Sequence, residues 1–323
     1  MSSRRDRTNR RGGRAPHIRV RPAATALTTS CRRTCSTRWS AHRNCCGRRA
    51  GDGTVAVLET ASPSLAAALE REWYHTIELA PGVVTPGWFD TRSVVKRLPF
   101  PDSLAGKRCL DVATFDGFWA FEMERRGARE TIAIDVLDPL KWDWPVNSKS
   151  AVIDAIGARQ GGGFEVARAA IGSSVERLEM SVYDLDPAEI GTFDFVYVGS
   201  LLIHLRDPVR ALERVRSVCS GTLLLVEKID LALTLRSRRP VAALDGRGRP
   251  WWWKLNKAAL CRVVEVAGFS PMTRPKWVWM PPGTAHPRPR ISRQLVHSEE
   301  ARQRLLTSLK GDPHAAVLAA PVR

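Results

Sequence analysis

From Lys107 onward, short apolar segments alternate with amphipathic ones, and this alternation restricts the chain to few folds. The amphipathic segments have helical spacing and lie near 117–126, 149–170 and 207–218. Continuous apolar strands need cover on both faces, so their alternation with helices predicts a mostly parallel sheet between two helical layers. The strands are predicted at 108–112, 131–135, 176–182, 193–198 and 222–227.

The chain beyond the fifth strand predicts a variation on this plan. A helix is expected over about 256–267, because Gly268 is a C-terminal stop signal. Two strands follow near 269–280 and 291–297 and form a late antiparallel hairpin. A sheet that ends in such a hairpin is unlike the sheet of a dinucleotide dehydrogenase. The predicted fold class is therefore α/β and Rossmann-like, with a mostly parallel sheet of seven strands.

Composition divides the chain into four segments. Residues 1–54 form an Arg-rich leader, 55–106 an N-terminal helix and a Trp- and Gly-rich lid, 107–298 the main domain, and 299–323 a flexible tail. The first helix is expected to begin near Ser62, because a serine followed by proline is typical of a helix N-terminus.

The leader carries most of the positive charge of the chain. The formal net charge is +17, yet residues 1–50 contain fourteen arginines and a single acidic residue, so the rest is nearly balanced. The leader has no periodicity, which predicts disorder. Its four cysteines are spaced C-x3-C-x9-C-C, which matches no familiar zinc pattern, so no metal site is expected. A further hypothesis is that the leader is not translated and that the protein starts at Val55 or Val57.

Hydropathy and cysteine content indicate the cellular compartment. The sequence has no run of eighteen apolar residues, so no membrane span is expected. Seven cysteines without a regular framework favour a reducing compartment. Because the leader also lacks the apolar core of a signal peptide, a cytoplasmic location is predicted.

The segment Leu110–Gly117, LDVATFDG, combines an apolar strand that ends in an acid with a tight turn and a helix. In open α/β sheets, ligands bind at the carboxyl ends of the strands, where the strand order reverses. A dinucleotide site needs the pattern G-x-G-x-x-G around its pyrophosphate. This turn lacks those glycines, and Asp111 and Asp116 would repel phosphate, so a cationic amino-acid ligand is favoured. The alternative is a plain strand–turn–helix connection.

Acids also follow the next two strands. Asp135 ends the second strand, where a carboxylate can accept from both hydroxyls of a ribose. Asp138 is a nearby alternative for this role, but it precedes Pro139 and is more typical of a turn residue. After the third strand, Asp184 can accept from an adenine amino group while Tyr183 packs on the ring, or it can simply cap a helix.

The fourth strand leads into the loop GSLLIHLRDP, which faces the substrate in this geometry. His204 in this loop is a candidate general base, because the ordinary pKa of histidine lies near neutrality. The alternative is a packed or hydrogen-bonded histidine that holds the loop.

The order of the motifs LDVATFDG, AIDV, VYDL, FDFVYVGSLLIHLRDP and LLLVEKID resembles that of class I S-adenosylmethionine-dependent methyltransferases. More narrowly, with WYHTIEL and WWWKLNKAALCRVVEVAGF, the chain is similar over about 73–297 to the bacterial tRNA wobble-uridine methyl- and carboxymethyltransferases. The resemblance implies S-adenosylmethionine as cofactor. The implied contacts are Asp111, Ala113, Thr114, Asp116 and Gly117 in the first loop, Asp135 on the ribose, and Tyr183 and Asp184 on the adenine.

The first loop departs from the class I pattern at two positions. Ala113 and Phe115 stand where the class commonly has glycine. Alanine at a positive φ costs on the order of 1 kcal/mol, a cost that the turn avoids if Ala113 keeps φ negative. The resemblance therefore implies a site that binds its cofactor less tightly.

Aromatic residues supply the candidates for substrate contact. Several tryptophans cluster in predicted loops, which favours a flat apolar pocket or a base-stacking platform. Trp88, Trp142 and His75 are the candidate substrate residues. The alternative is packing beneath long loops.

Three functions are compatible with these motifs. The first is methyl transfer to a small molecule, such as an aromatic or sugar hydroxyl, which the balanced charge of the main domain favours. The second is tRNA modification, which needs a continuous basic surface. The third is a non-catalytic binding protein, supported by the two loop departures. The basic stretch relevant to the second consists of Arg236, Arg238, Arg239, Arg247 and Arg249.

Overall fold

A computed structural model describes residues 63–147, 162–246, 250–286 and 299–322 of the chain. The predicted leader, the first part of the 149–170 helix and the strand predicted at 291–297 lie outside the described residues. Arg247 and Arg249 of the basic stretch lie outside them as well.

The described chain contains fourteen strands and eight α-helices. The strands are β1 (Trp73–His75), β2 (Glu78–Ala80), β3 (Val83–Val84), β4 (Gly87–Phe89), β5 (Arg108–Val112), β6 (Glu130–Asp135), β7 (Glu176–Glu179), β8 (Phe193–Gly199), β9 (Cys219–Lys228), β10 (Ala242–Leu244), β11 (Trp253–Leu255), β12 (Phe269–Pro271), β13 (Lys276–Met280) and β14 (Asp312–Pro321). The helices are α1 (Pro63–Leu69), α2 (Phe118–Arg125), α3 (Gly162–Ile171), α4 (Pro187–Ile190), α5 (Pro208–Val218), α6 (Leu231–Arg236), α7 (Lys257–Val266) and α8 (Glu299–Lys310).

Eight strands form one central sheet with the order β12-β14-β9-β8-β5-β6-β7, and β13 pairs with β14 beside this path. Strands β5 to β9 run parallel to one another, whereas β14 is antiparallel to β9, β12 and β13. The chain order reverses between β5 and β8, because β5 pairs with β6 on one side and with β8 on the other. The predicted Rossmann-like α/β fold is confirmed.

The C-terminal part of the sheet differs from the prediction. The segment 299–323 was expected to be a flexible tail, and this is wrong, because it contains α8 and the ten-residue strand β14. The late antiparallel pair consists of β13 and β14, which α8 separates along the chain, with Trp277 opposite Ala315, and the sheet has eight strands. Alanine has a low strand propensity, so the Ala-rich β14 gives little local signal. Ala316 and Val317 are nevertheless fully buried between neighbouring strands.

Apolar side chains cover both faces of the sheet. On one face, Leu212 of α5 and Leu260 of α7 pack against the strands. On the other face, Phe121 of α2 and Phe164 of α3 do so. This arrangement explains the continuous apolar runs of the central strands, which have no solvent-facing side.

The N-terminal segment packs into the same core as α2 and α3. Trp73 of β1 is fully buried, and its indole Nε1 donates to the Ala68 carbonyl at 2.9 Å. Strand β1 pairs with β4, and Phe89 of β4 forms a bridge with Pro282 beyond β13. The region predicted as a lid is therefore anchored at both ends. None of the helices in the described ranges has the length and apolar content of a membrane span.

Candidate functional site

A cavity of about 1350 Å³ lies at the carboxyl ends of the central strands. Its lining includes the ends of β5, β6 and β8 and the segment that contains β1. This is the edge at which the strand order reverses and where open α/β sheets bind their ligands. The cavity exceeds the roughly 300–1,000 Å³ of an ordinary small-molecule pocket, so it has room for two ligands.

The turn after β5 has an unusual backbone. Ala113 and Phe115 have φ values of 60° and 55°, and Gly117 has φ of 91°. Ala113 therefore does not avoid the left-handed region. At Gly117 a Cβ atom would lie 2.5 Å from the Phe121 ring, so only glycine fits.

Asp111 holds this turn together. Its Oδ2 accepts from the Thr114 hydroxyl at 2.6 Å and from the Ala120 amide at 3.1 Å. Burial raises the pKa of Asp111 to about 7. Asp111 lines the cavity, whereas Thr114 is buried beneath the turn as its partner.

Asp116 ties the N-terminal segment to the turn. Its Oδ2 accepts from the amides of Tyr74 at 2.9 Å and His75 at 2.8 Å. Its Oδ1 contacts Nδ1 of His75. Asp116 and His75 both line the cavity, and the bonds between them close its N-terminal wall.

Asp135 occupies the position predicted for a ribose-binding acid. Its carboxylate accepts from the amide of Phe115 at 2.7 Å and from the amide of Val136 at 2.8 Å. A carboxylate has about four acceptor positions, so these two bonds leave capacity for a ligand. Asp135 is half-buried in the cavity wall, and burial raises its pKa to about 6.

The structure separates the two predicted adenine contacts. Tyr183 lines the cavity, and its hydroxyl donates to Asp143 at 2.9 Å. Asp184 is exposed and does not line the cavity. Asp143, which the sequence reasoning missed, lines the cavity and also accepts from the Arg206 amide at 2.8 Å. No motif marks Asp143, because its place depends on contacts with distant residues.

His204 lines the cavity but is held by the protein. Its Nδ1 lies 2.7 Å from the Pro250 carbonyl oxygen, and its ring lies 5.9 Å from that of Trp144. Burial lowers the pKa of His204 to about 4, so the ring is neutral near pH 7. These contacts match the alternative in which His204 holds the loop.

The three predicted substrate residues all line the cavity. The Trp142 indole donates to the Val136 carbonyl at 2.6 Å, and its ring lies 4.4 Å from that of Trp144. Trp88 is 45% exposed and contacts His286, while His75 is buried against Asp116. Trp142 and Trp144, whose rings are in contact, form an aromatic wall of the cavity that suits a flat ligand.

A second group of polar residues was missed by the sequence reasoning. Among the described residues, no group of three or more His, Cys, Asp or Glu could hold a metal ion. The missed polar group lies across the cavity from Asp135. Asp135 ends β6, whereas β9 and β14, which supply part of the group, lie beyond β8 in the strand order. The group consists of Tyr74, Ser200, Lys228, Thr307, Asp312 and His314.

No known protein family matches the chain, and no curated protein matches it. Among solved structures, the chain is similar to the 1,6-didemethyltoxoflavin-N1-methyltransferase of Burkholderia thailandensis, with 13% identity, coverage of 68% of this chain and 72% of that chain, and a TM-score of 0.39. It is also similar to an S-adenosylmethionine-dependent methyltransferase of Mesorhizobium loti, with 16% identity, coverage of 71% and 96%, and a TM-score of 0.39. For the magnesium protoporphyrin IX methyltransferase of Synechocystis with bound S-adenosylhomocysteine, the identity is 14%, the coverage 72% and 81%, and the TM-score 0.43. These similarities are low, so a functional assignment depends on this chain's own residues.

Proposed function

We propose that this protein is an S-adenosylmethionine-dependent methyltransferase that acts on a small-molecule acceptor. The observation that carries the proposal is the pairing of Asp135 with the turn after β5. The carboxylate is bound to the amide of Phe115 in that turn and keeps acceptor capacity toward the cavity. One ligand can therefore contact an acid suited to ribose and a turn whose backbone permits close approach.

The donor set fits S-adenosylmethionine better than a dinucleotide. Asp111 and Asp116 lie at the turn where a dinucleotide would place its pyrophosphate, and carboxylates repel phosphate. The same acids favour an ammonium and a sulfonium. Asp135 would hold the ribose, the turn the amino-acid end, and Val182 and Tyr183 the adenine. The bound cofactor supplies an electrophilic methyl group.

The protein's own contribution is proximity and orientation. The β5 turn and the aromatic wall face one cavity, so donor and acceptor can be held side by side. Holding two reactants in line contributes up to about 7–11 kcal/mol to the lowering of a barrier. The aromatic wall of Trp142 and Trp144 offers flat apolar surface to an aromatic acceptor.

The small-molecule acceptor is favoured over tRNA by the position of the basic stretch that was predicted for RNA contact. Arg236, Arg238 and Arg239 are exposed at and after the end of α6, and none of them lines the cavity. A tRNA substrate would need a basic surface that leads to the reacting group. Label transferred from the cofactor to tRNA, and not to a metabolite extract, would reverse this preference.

Calorimetry with S-adenosylhomocysteine tests the proposal directly. We expect the wild-type chain to bind and Asp135→Ala to lose about tenfold or more in affinity, because a hydrogen bond to a charged group contributes about 1.5–3 kcal/mol. Asp138→Ala is the matched control, since Asp138 accepts from the Leu140 amide outside the cavity. Absence of binding by the wild type at millimolar ligand would support a scaffold instead.

A further inference from the structure

The polar group on the far side of the cavity has the serine after β8 at its centre. Ser200 follows the last residue of β8, and its Oγ lies 2.9 Å from Nε2 of His314. His314 lies near the start of β14, which is antiparallel to β9. Both residues line the cavity. The proposed cofactor contacts use neither residue.

The contacts of His314 define its tautomer. Its Nδ1 lies 3.0 Å from the backbone carbonyl oxygen of Asp312, and a carbonyl can only accept. Nδ1 therefore carries the proton, and Nε2 accepts from the Ser200 hydroxyl. Burial lowers the pKa of His314 to about 4, so the imidazole is neutral near pH 7. The pair consists of a hydroxyl donor and a basic nitrogen aligned at hydrogen-bond distance.

The backbone of Ser200 is strained. Its φ of 49° lies in the left-handed region, which costs a non-glycine residue roughly 1–2 kcal/mol. The conformation is held by the Ser200 amide, which donates to the Val226 carbonyl of β9 at 2.9 Å. Such strain persists where surrounding contacts determine it, and it concentrates at functional sites.

The charged residues around Ser200 and His314 have partners that balance their charges. Lys228 of β9 contacts the Asp312 carboxylate, whose other oxygen accepts from the Thr307 hydroxyl at 2.9 Å. The Tyr74 hydroxyl lies beside Ser200, and burial raises its pKa, so it stays protonated. Glu227 accepts from the Leu202 amide at 2.6 Å. Among these neighbours, each acid already has a cation or an N–H donor as a partner.

We propose that Ser200 and His314 form a relay that takes the proton of a hydroxyl acceptor during methyl transfer. The inference rests on the proposed function and assigns its acceptor to the alcohols and phenols. The acceptor O–H bond breaks, its proton passes to Ser200 Oγ, and the proton of Ser200 passes to His314 Nε2. The acceptor oxygen bonds to the methyl carbon, and the carbon–sulfur bond breaks with its electron pair going to sulfur.

The charge balance of the site suits this relay. Transfer removes the positive charge of the sulfonium and creates one on His314, so the total charge in the cavity is unchanged. Asp312, next to His314, favours the imidazolium, whereas Lys228 disfavours it. His204 is a weaker candidate, because its ring packs against Trp144 in the aromatic wall and no described hydroxyl joins it to the end of β8.

The state of the imidazole is measurable in the whole protein without any acceptor. Histidine labelled with ¹⁵N distinguishes the two tautomers, and His314→Asn assigns the signals, because asparagine keeps a donor for the Asp312 carbonyl and removes Nε2. We expect His314 to be neutral with its proton on Nδ1 at pH 7. Ser200→Ala should shift the Nε2 signal, whereas the matched control Ser220→Ala, at the other end of the strands, should not. A proton on Nε2, or no response to Ser200→Ala, would overturn the relay.

Two phenols of similar size provide the second measurement. At about pH 8, 4-nitrophenol is largely ionised and 4-methylphenol is protonated. With labelled cofactor, His314→Asn should slow transfer to 4-methylphenol about 100-fold or more and transfer to 4-nitrophenol far less, since general bases contribute about 10²–10⁴-fold. Equal losses on both phenols would contradict proton transfer. If neither phenol reacts, the ¹⁵N measurement of the His314 tautomer decides whether the relay stands.

Failure of the relay and failure of the proposed function are distinguishable. The tautomer of His314 is measured in the ligand-free protein, whereas the proposed function depends on S-adenosylhomocysteine binding. Binding by the wild type together with the wrong tautomer would remove the relay alone.

Discussion

Three non-glycine residues of the described chain have a positive φ, and all three line the cavity: Ala113, Phe115 and Ser200. Two of them lie in the turn after β5 and the third follows β8. Strain of this kind is retained when the surrounding structure determines it. The three strained residues lie at the ends of β5 and β8, the two central strands, and this position supports placing the reacting groups there.

Replacement of Ala113 by glycine should stabilise the protein. Glycine adopts the φ of 60° without the roughly 1–2 kcal/mol cost of alanine but loses about 0.4–1 kcal/mol of backbone entropy. The expected net gain is about 0.5–1 kcal/mol in the free energy of unfolding, measured with urea. The same change at Ala169, which is exposed in α3, should cost about 1 kcal/mol. A loss at both positions would show that Ala113 is not strained.

The pH dependence of cofactor binding should follow the ionisation of Asp135 and Asp111. Burial raises the pKa of Asp135 to about 6 and that of Asp111 to about 7. Only the ionised carboxylates attract the ammonium group of the ligand and accept freely, so affinity for S-adenosylhomocysteine should rise from pH 5 to 8 and then level off. In Asp135→Asn, the rise near pH 6 should disappear. Calorimetry across this range checks the sign; affinity that falls with pH would contradict it.

At the scale of elements, β14 completes the sheet and the site together. It pairs with β9 on one side and with β12 and β13 on the other, and it carries His314. The clamp between Asp116 and β1 has a similar effect at the opposite wall, because it joins the N-terminal segment to the β5 turn. Both walls of the cavity thus depend on elements from the ends of the described chain.

Substitution of Val317 by aspartate should disrupt the fold. Val317 is fully buried opposite Leu225 of β9, and an unpaired buried carboxylate costs several kcal/mol. We expect the free energy of unfolding to fall by at least about 4 kcal/mol, or the protein not to accumulate in folded form. Val322→Asp is the matched control, because Val322 is 49% exposed, and it should change stability by less than about 0.5 kcal/mol. Equal stability of the two variants would mean that β14 is not in the core.

At the scale of the whole molecule, the cavity couples ligand binding to the stability of the sheet. A ligand at 100 times its dissociation constant stabilises the folded state by about 2.7 kcal/mol. S-adenosylhomocysteine should therefore raise the melting temperature by roughly 5–10 °C. Adenosine diphosphate is the control and should have little effect, because the acids of the β5 turn disfavour phosphate. An equal shift with both ligands would contradict a site that prefers an ammonium group to phosphate.

Local patterns were sufficient for the parallel half of the sheet and for the position of Asp135 at its edge. The strand at 108–112 and Asp135 at the end of β6 have the predicted positions, because a buried parallel strand shows as an apolar run and its last residue necessarily faces the ligand edge. The same local reasoning was wrong for 299–323. Strand β14 owes its burial to β9 and β13, and no run of alanines reveals such partners.

Residues that act through distant contacts could not be found in this way. Asp116 binds the amide of His75, 41 residues earlier, and Ser200 contacts His314, 114 residues later. Asp184 follows its strand as predicted, yet the backbone leaves it exposed while Asp143 enters the cavity. The local sequence determines which strand a residue follows and how many residues separate it from the end of that strand. The residue's partners depend on which segments the core brings together, because packing and burial are properties of the folded chain as a whole.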